Sequence, residues 1–529
     1  MITGRRDLLQ LLGLAPFIRM ARASGLELGD GAGAQAASGT SPDVELGLTA
    51  APGEISLLPG APTRVWRFTG RVIRGPASTL QTLDGSYLGP VIRVRRGQRV
   101  RIRFVNQLGE PSIVHWHGLD VPERADGHPR LAVNQGAEYV YDFDVTNRAG
   151  TYWYHPHPHM RTAPQVYQGL AGLLLVSDPE EDALGLPSGA AELLCVLQDR
   201  RFDGNNQLVY AGARASGAMR GRMGRGGGMG MGGMGGMAQM METMNGWLGD
   251  RMLVSGRVQP TLDVDRRTYR VRLLNGSNAR FYKLAWSDGS PMMVIGGDGG
   301  LLERARTRRA VTLAPGQRAD VLLDLSAHAR GSDVQLQSLA FPSAHVGRVG
   351  MMGDTSPLPQ GAPLTLMRLR VSAAQGPRVG VPERLSAHDF RAVASAPVRR
   401  VPLTFMQMNG QLDGRVFDLA DVADEETVAP GSTHVWELVN LPNPMGMAMA
   451  HPIHLHGPQF RVLSRTGGST NALREGIDDD GGIDTVVVLP GETVRVQVTF
   501  SKHPGLYLYH CHILEHEDMG MMRNFRIRR

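Results

Sequence analysis

Three short stretches of this chain repeat one another at a spacing too long for a single sheet or helix to explain. Arg101-Ile102-Arg103-Phe104-Val105-Asn106 is echoed by Arg270-Val271-Arg272-Leu273-Leu274-Asn275, and more loosely by Trp436-Glu437-Leu438-Val439-Asn440. Their closing asparagines stand 169 and then 165 residues apart. Each copy alternates like a half-buried strand and stops at a turn-forming residue. Gly97-Gln98 and Pro430-Gly431 precede the first and third copies, while Pro315-Gly316-Gln317 and Pro490-Gly491-Glu492 introduce further apolar runs. A long period filled with short alternating strands predicts an all-β chain of three homologous domains, each a Greek-key sandwich or barrel. The length of 529 residues suits two to four ordinary domains. The 67 Gly and 33 Pro favour strands and turns over helical bundles.

On this reading the domains occupy 46–180, 190–375 and 399–529, with a linker at 376–398 and a Gly/Ala/Ser-rich lead-in at 24–45. Residues 1–23 read as an export signal: Arg5-Arg6, an apolar stretch to Ile18, then the small-residue site Ala21-Arg22-Ala23. The paired arginines predict the twin-arginine route, which carries folded proteins, and hence a periplasmic or otherwise exported location. That apolar stretch is too short to span a bilayer, so no membrane insertion is expected. The net charge of +6 comes almost wholly from arginine, Lys283 and Lys502 being the only lysines. The arginines are scattered along strand-like runs, which reads as solvated strand faces and argues against a nucleic-acid partner. Of the two cysteines, Cys195 lies in the apolar run 192–197 and reads as a buried core thiol.

A second repeat joins only the two ends of the chain. Gly150-Thr-Tyr-Trp-Tyr-His-Pro-His157 matches Gly505-Leu-Tyr-Leu-Tyr-His-Cys-His512, and His115-Trp116-His117-Gly118 matches His454-Leu455-His456-Gly457. The middle region has no equivalent and reads as a spacer. Ten of the 17 histidines fall in the windows 115–117, 155–157, 451–456 and 510–516, too many for isolated core histidines. Residues i and i+2 of a strand share a face, so each His-X-His projects two imidazoles together. Imidazole suits Cu, Zn, Fe and Ni, and eight such donors imply more than one metal. In His510-Cys511-His512 the same alternation turns the thiolate to one site and the imidazoles to another. Cys511 with His516, Met521 and His451 is the donor set of a blue-copper electron-transfer site.

These residues resemble the multicopper oxidase family, which includes laccases, bilirubin oxidases and bacterial cuprous oxidases. The four signatures read His-Trp-His-Gly from His115, His-Pro-His from His155, His-Pro-Ile-His-Leu-His-Gly from His451, and His-Cys-His-Ile-Leu-Glu-His-Glu-Asp-Met-Gly-Met from His510. Gly246-Trp247-Leu248-Gly249-Asp250 and Asp298-Gly299-Gly300-Leu301-Leu302 most resemble the bacterial copper-efflux branch. The resemblance implies three cupredoxin-like domains and four copper ions. His451, Cys511, His516 and an axial Met521 would bind a type 1 copper. His115 and His454 would bind a type 2 copper. His117, His155, His157, His456, His510 and His512 would bind a type 3 pair. It implies an enzyme that takes electrons singly from Cu(I), a phenol or an aromatic amine and delivers four to O2, forming water. Asp126, nine residues after His117, and Glu517, beside His516, match the family's proton-relay positions. A monomer is expected. All twelve ligand positions are filled, which weighs against a non-enzymatic copper-binding cupredoxin.

Between Met219 and Met244 nine of 26 residues are Met and ten are Gly. Met234, Met237, Met241 and Met244 have helical spacing, yet the glycine-rich part from 224 to 236 cannot hold a helix by itself. Soft thioethers bind Cu(I), so this insertion reads as a mobile, exposed Cu(I)-capture segment. Met445, Met447 and Met449, just before His451, would line the approach to the type 1 site. The run precedes Trp247 rather than lying in the third domain, and Met447 stands where the copper-efflux branch has an acid. A primary laccase is the alternative reading.

Overall fold

The computed structural model describes residues 41–210, 242–347, 356–387, 392–406, 409–440, 442, 448–468 and 471–529. The signal-like residues 1–23, most of the lead-in, and Met234, Met237, Met241, Met445 and Met447 lie outside them. The first strand, Val44–Ile55, begins inside the stretch read as lead-in. It shows why these sequences fold as sheets: Val44, Leu46, Leu48 and Ala50 are buried while the residues between them are half-exposed.

Among the described residues six sheets fall into three consecutive pairs along the chain, each pair with its own apolar core. One strand order recurs in all three. Val44–Ile55 lies parallel to Arg99–Asn106, which runs antiparallel to Glu138–Asp144. Glu192–Arg200, Thr268–Asn275 and Arg318–Asp324 repeat that order, as do Val398–Met406, Thr433–Val439 and Glu492–Thr499. Between the two parallel strands the chain visits the companion sheet each time, through Val91–Arg95, Thr261–Arg266 and Thr427–Val428, as a two-layer sandwich requires. The sequence repeat occupies the second strand each time, and its asparagine does one job. Asn106 Nδ2 donates to the carbonyls of Glu110 and Val133. Asn275 Nδ2 donates to those of Arg280 and Leu313, and Asn440 Nδ2 to those of Met449, Val488 and Leu489. A buried carboxamide thus satisfies loop carbonyls that would otherwise be orphaned.

Two expectations are corrected. The middle copy, Thr268–Asn275, is buried on both faces rather than one. Its polar face carries Arg270 and Arg272, which meet Glu181, Glu192 and Asp320 at 2.6–2.9 Å where the first and second sheet pairs adjoin. The arginines are therefore not uniformly solvated strand faces. Arg200, Arg270, Arg272, Arg280, Arg318 and Arg523 are buried, held there by carboxylates and carbonyls. Cys195 is a buried free thiol 3.9 Å from Met367 Sδ, as a core position requires. No helix among the described residues is long and apolar enough to cross a membrane.

Candidate metal centre

The four histidine windows sit on matching strands of the two outer sheet pairs. Val114–His117 pairs with Gly150–Pro156, setting His115 opposite His155. His451–Leu455 pairs with Gly505–Cys511, setting His454 opposite His510 and Ile453 opposite Cys511. Alternation then sends His454 and His510 to one face and Cys511 to the other. The two arrangements meet face to face. His115 stacks on His456 and His117 on His454, both with ring centroids 3.7 Å apart. His157 Nε2 and His456 Nε2 lie 3.3 and 3.2 Å from His510 Nε2.

Eight imidazoles thus share one enclosed space, none more than 1% exposed. Burial holds all of them below the ordinary imidazole range, His155 at about 3 and His510 at about 4, so the rings are neutral with free lone pairs. Their outer nitrogens are tied down. His115 Nδ1 donates to the Asp126 carbonyl at 2.6 Å and His454 Nδ1 to the Asp484 carbonyl at 2.8 Å. Both Nε2 atoms must then be bare, and they face each other across 3.3 Å. Two lone pairs at that distance repel unless a cation lies against them. His117 Nδ1, His155 Nε2, His157 Nδ1 and both nitrogens of His512 are buried with no hydrogen-bond partner. Neutral, oriented, unpartnered imidazoles fit a cluster of metal ions.

On the other side of the strand, Cys511 Sγ lies 3.5 Å from His451 Nδ1 and 3.6 Å from His516 Nδ1. His516 Nε2 donates to the Met244 carbonyl at 3.0 Å, leaving Nδ1 aimed at the sulfur. Burial raises the Cys511 thiol far above its usual range, so it ionises only against a cation. Met521 is fully buried beside it, its carbonyl accepting from the Cys511 N–H. A Cβ at Gly410 would come within 2.5 Å of Met521 Cβ, so only glycine lets that strand approach.

Two aspartates brace the cluster crosswise. Asp126 holds His115 through its carbonyl and His456 Nδ1 through Oδ2 at 2.7 Å. Asp484 holds His454 through its carbonyl and His117 Nε2 through Oδ1 at 3.0 Å. Each aspartate thereby grips one histidine of its own sheet pair and one of the other. Burial pushes the Asp126 carboxyl well above the carboxylate range, with the nearby Asp120 adding to it. Glu517 lies 3.5 Å from His157 Nε2 through Oε1 and 3.3 Å from His510 Nδ1 through Oε2. Burial also raises Glu517 strongly, ahead of repulsion from Asp518.

Of the methionines singled out for substrate, Met244 and Met449 are described, and both are buried rather than exposed. Met244 belongs to a helical turn at 242–245 that roofs His516. His159 is exposed, its ring 5.5 Å from that of Phe417. Sequence reasoning missed Asp484, whose one local signal is an acid heading the fully buried strand Thr485–Val488. It also missed Arg318, and the spacer reading of the middle region is corrected. Gly316, Gln317 and Arg318 reach His512, the Thr485 carbonyl and Asp484.

Family models described as multicopper oxidase match residues 67–181 and 399–529. The chain is 31% identical over 448 residues to a multicopper oxidase, mco, of Staphylococcus haemolyticus, covering 84% of this chain and 83% of that one. It is 28% identical to a laccase of Bacillus subtilis, with 85% and 90% covered. The McoA multicopper oxidase of Aquifex aeolicus superimposes with a TM-score of 0.74 at 34% identity, covering 92% of this chain and 97% of that one.

Proposed function

The chain belongs to the multicopper oxidase family of oxidoreductases, and from that premise we propose that it couples one-electron oxidation of a small reductant to four-electron reduction of O2 to water. His451, Cys511, His516 and Met521 would hold a type 1 copper, His115 and His454 a type 2 copper, and the six remaining cluster histidines a type 3 pair. When bound, copper supplies single-electron transfer at the thiolate site and reduction of O2 at the imidazole cluster. The observation that carries this reading is the pair of bare Nε2 atoms of His115 and His454, 3.3 Å apart.

The chain's own part is arrangement. Cys511 shares its backbone with His510 and His512, so a covalent path joins the sulfur to two cluster imidazoles. Burial of both donor sets, no donor being more than 3% exposed, excludes bulk water. Asp126 and Glu517, each within reach of two cluster histidines, are placed to pass protons, Asp126 through its unpartnered Oδ1.

For the reductant we favour Cu(I), with phenols and aromatic amines as secondary substrates. His516 is fully buried beneath the Met244 carbonyl, so a bulky phenol has no direct contact with its ring edge. Similarity to named laccases supports the second reading, a primary phenol oxidase. Deleting residues 219–241, which leaves Met244 in place, separates the two. Cu(I) oxidation should fall at least about tenfold while phenol oxidation holds or rises. Unchanged Cu(I) oxidation refutes the capture role. Export through Arg5-Arg6 is part of the proposal; replacing both by lysine should leave the protein in the cytoplasmic fraction.

A further inference from the structure

The middle sheet pair contributes none of the twelve donors, yet one turn of it reaches the cluster from the side. Gly316, at φ +86°, lies against the ring of His512, where an added Cβ would come within 2.8 Å. Gln317 Nε2 donates to the Thr485 carbonyl at 2.9 Å. Arg318 Nη1 and Nη2 clasp the Asp484 carboxylate at 2.7 and 2.5 Å. The remaining N–H groups of this guanidinium go to the carbonyls of Thr151, Gly316 and Asp298. All five donors of a fully buried arginine are therefore used, and the fork can sit in only one way.

What that fork holds is the aspartate that grips His117 and His454. Asp484 Oδ1 receives Arg318 Nη1 and also meets His117 Nε2 at 3.0 Å and the Thr485 hydroxyl at 2.9 Å. Its backbone carbonyl fixes the tautomer of His454. Asp298 closes the arrangement from the middle pair. Its Oδ1 accepts the Arg318 backbone N–H at 2.7 Å and its Oδ2 the Thr485 N–H at 3.3 Å. Gly118, which ends the first histidine window, adopts φ +90°, and a Cβ there would lie 2.5 Å from Asp484 Oδ2 and 2.8 Å from Arg318 Nη2. The motif needs glycine because the Arg318–Asp484 pair occupies that space.

We propose that Arg318 is a positioning residue for the type 2 corner of the cluster: acting through Asp484, it sets the His117 and His454 rings at the angle that lets His454 and His115 hold one metal ion. The middle sheet pair is then a third wall of the site. This rests on the copper reading above. Asp126 does the corresponding work for His115 and His456 without such a clasp, so loss of Arg318 disturbs one corner and leaves the Cys511 site intact.

The test compares purified holoenzyme of the wild type, Arg318→Lys and Arg465→Lys. Arg465 is a largely buried guanidinium, its side chain 5% exposed, whose partners are Asp479, Glu492 and the Val487 carbonyl. Copper per chain, the blue thiolate absorption and the paramagnetic resonance signal of non-blue copper are measured. Arg318→Lys should keep the blue absorption, lose one copper of the four and lose the non-blue signal, whereas Arg465→Lys keeps all three. A fully loaded Arg318→Lys with an unchanged resonance spectrum overturns the inference alone, as does the same selective loss in Arg465→Lys. A wild type that binds no copper overturns the functional reading itself. If Arg318→Lys does not accumulate, Arg318→Gln combined with Asp298→Asn removes one charge of each sign and is judged by the same outcomes.

Discussion

Cys511 sits where a thiol has no reason to ionise: fully buried, with neutral imidazoles for neighbours. A soft cation would make the thiolate tenable there, and the covalent link to His510 and His512 would give electrons from it a route to the cluster. Cys511→Ser should therefore abolish both the blue absorption and O2 consumption with either reductant, while copper in the cluster, measured by elemental analysis, remains. Asp126→Asn keeps the carbonyl that orients His115 and an oxygen that can accept from His456 Nδ1, but its amide cannot take up or release a proton. Copper should stay bound while turnover drops by about 10²-fold or more, the usual contribution of a positioned acid or base. Residue-scale chemistry was legible wherever it was local. His-X-His and His-Cys-His declare their geometry through the two-residue period of a strand. Asp484 was not legible, because its meaning depends on His117, 367 positions earlier in the chain. The same is true of Arg318, whose motif looks like any turn leading into a strand.

Among the elements, the recurrent second strand explains its own asparagine. Asn440→Ala would leave the carbonyls of Met449, Val488 and Leu489 without their donor. A loss of about 1–3 kcal/mol is expected in chemical denaturation, with damage spreading toward His451, which follows Met449 by two residues. The turn at Gly316 makes a sharper prediction. Alanine there pays about 1–2 kcal/mol for the left-handed backbone and drives its Cβ into the His512 ring. Gly316→Ala should fold, stay blue and carry less cluster copper, as read by metal analysis beside the absorption spectrum. Alternation identified the repeated strands from sequence, since apolar positions face a core. It could not reveal that Thr268–Asn275 has no solvent face, because the carboxylates covering Arg270 and Arg272 come from 181, 192 and 320.

Across the whole molecule, the sheet pairs are joined by buried charge. Burial alone would raise the Asp320 carboxyl, but Arg272 and Arg270 outweigh it and hold the group below its ordinary value of 3.8. A depressed carboxyl contributes stability that is present above the unfolded value and disappears as pH falls through the folded one. Wild type should therefore keep this contribution at neutral pH and lose it only below pH 3.8. Asp320→Asn should cost about 3–5 kcal/mol at neutral pH, a gap that narrows in acid unfolding curves. The crosswise grip of Asp126 and Asp484 has a consequence in time as well. Half the cage is made by residue 157 and the other half waits for residue 512, so for most of its synthesis the nascent polypeptide carries an unfinished receptacle. Ions met before then find at most the four imidazoles of the first half, and the cage is complete only once residue 512 has joined the fold.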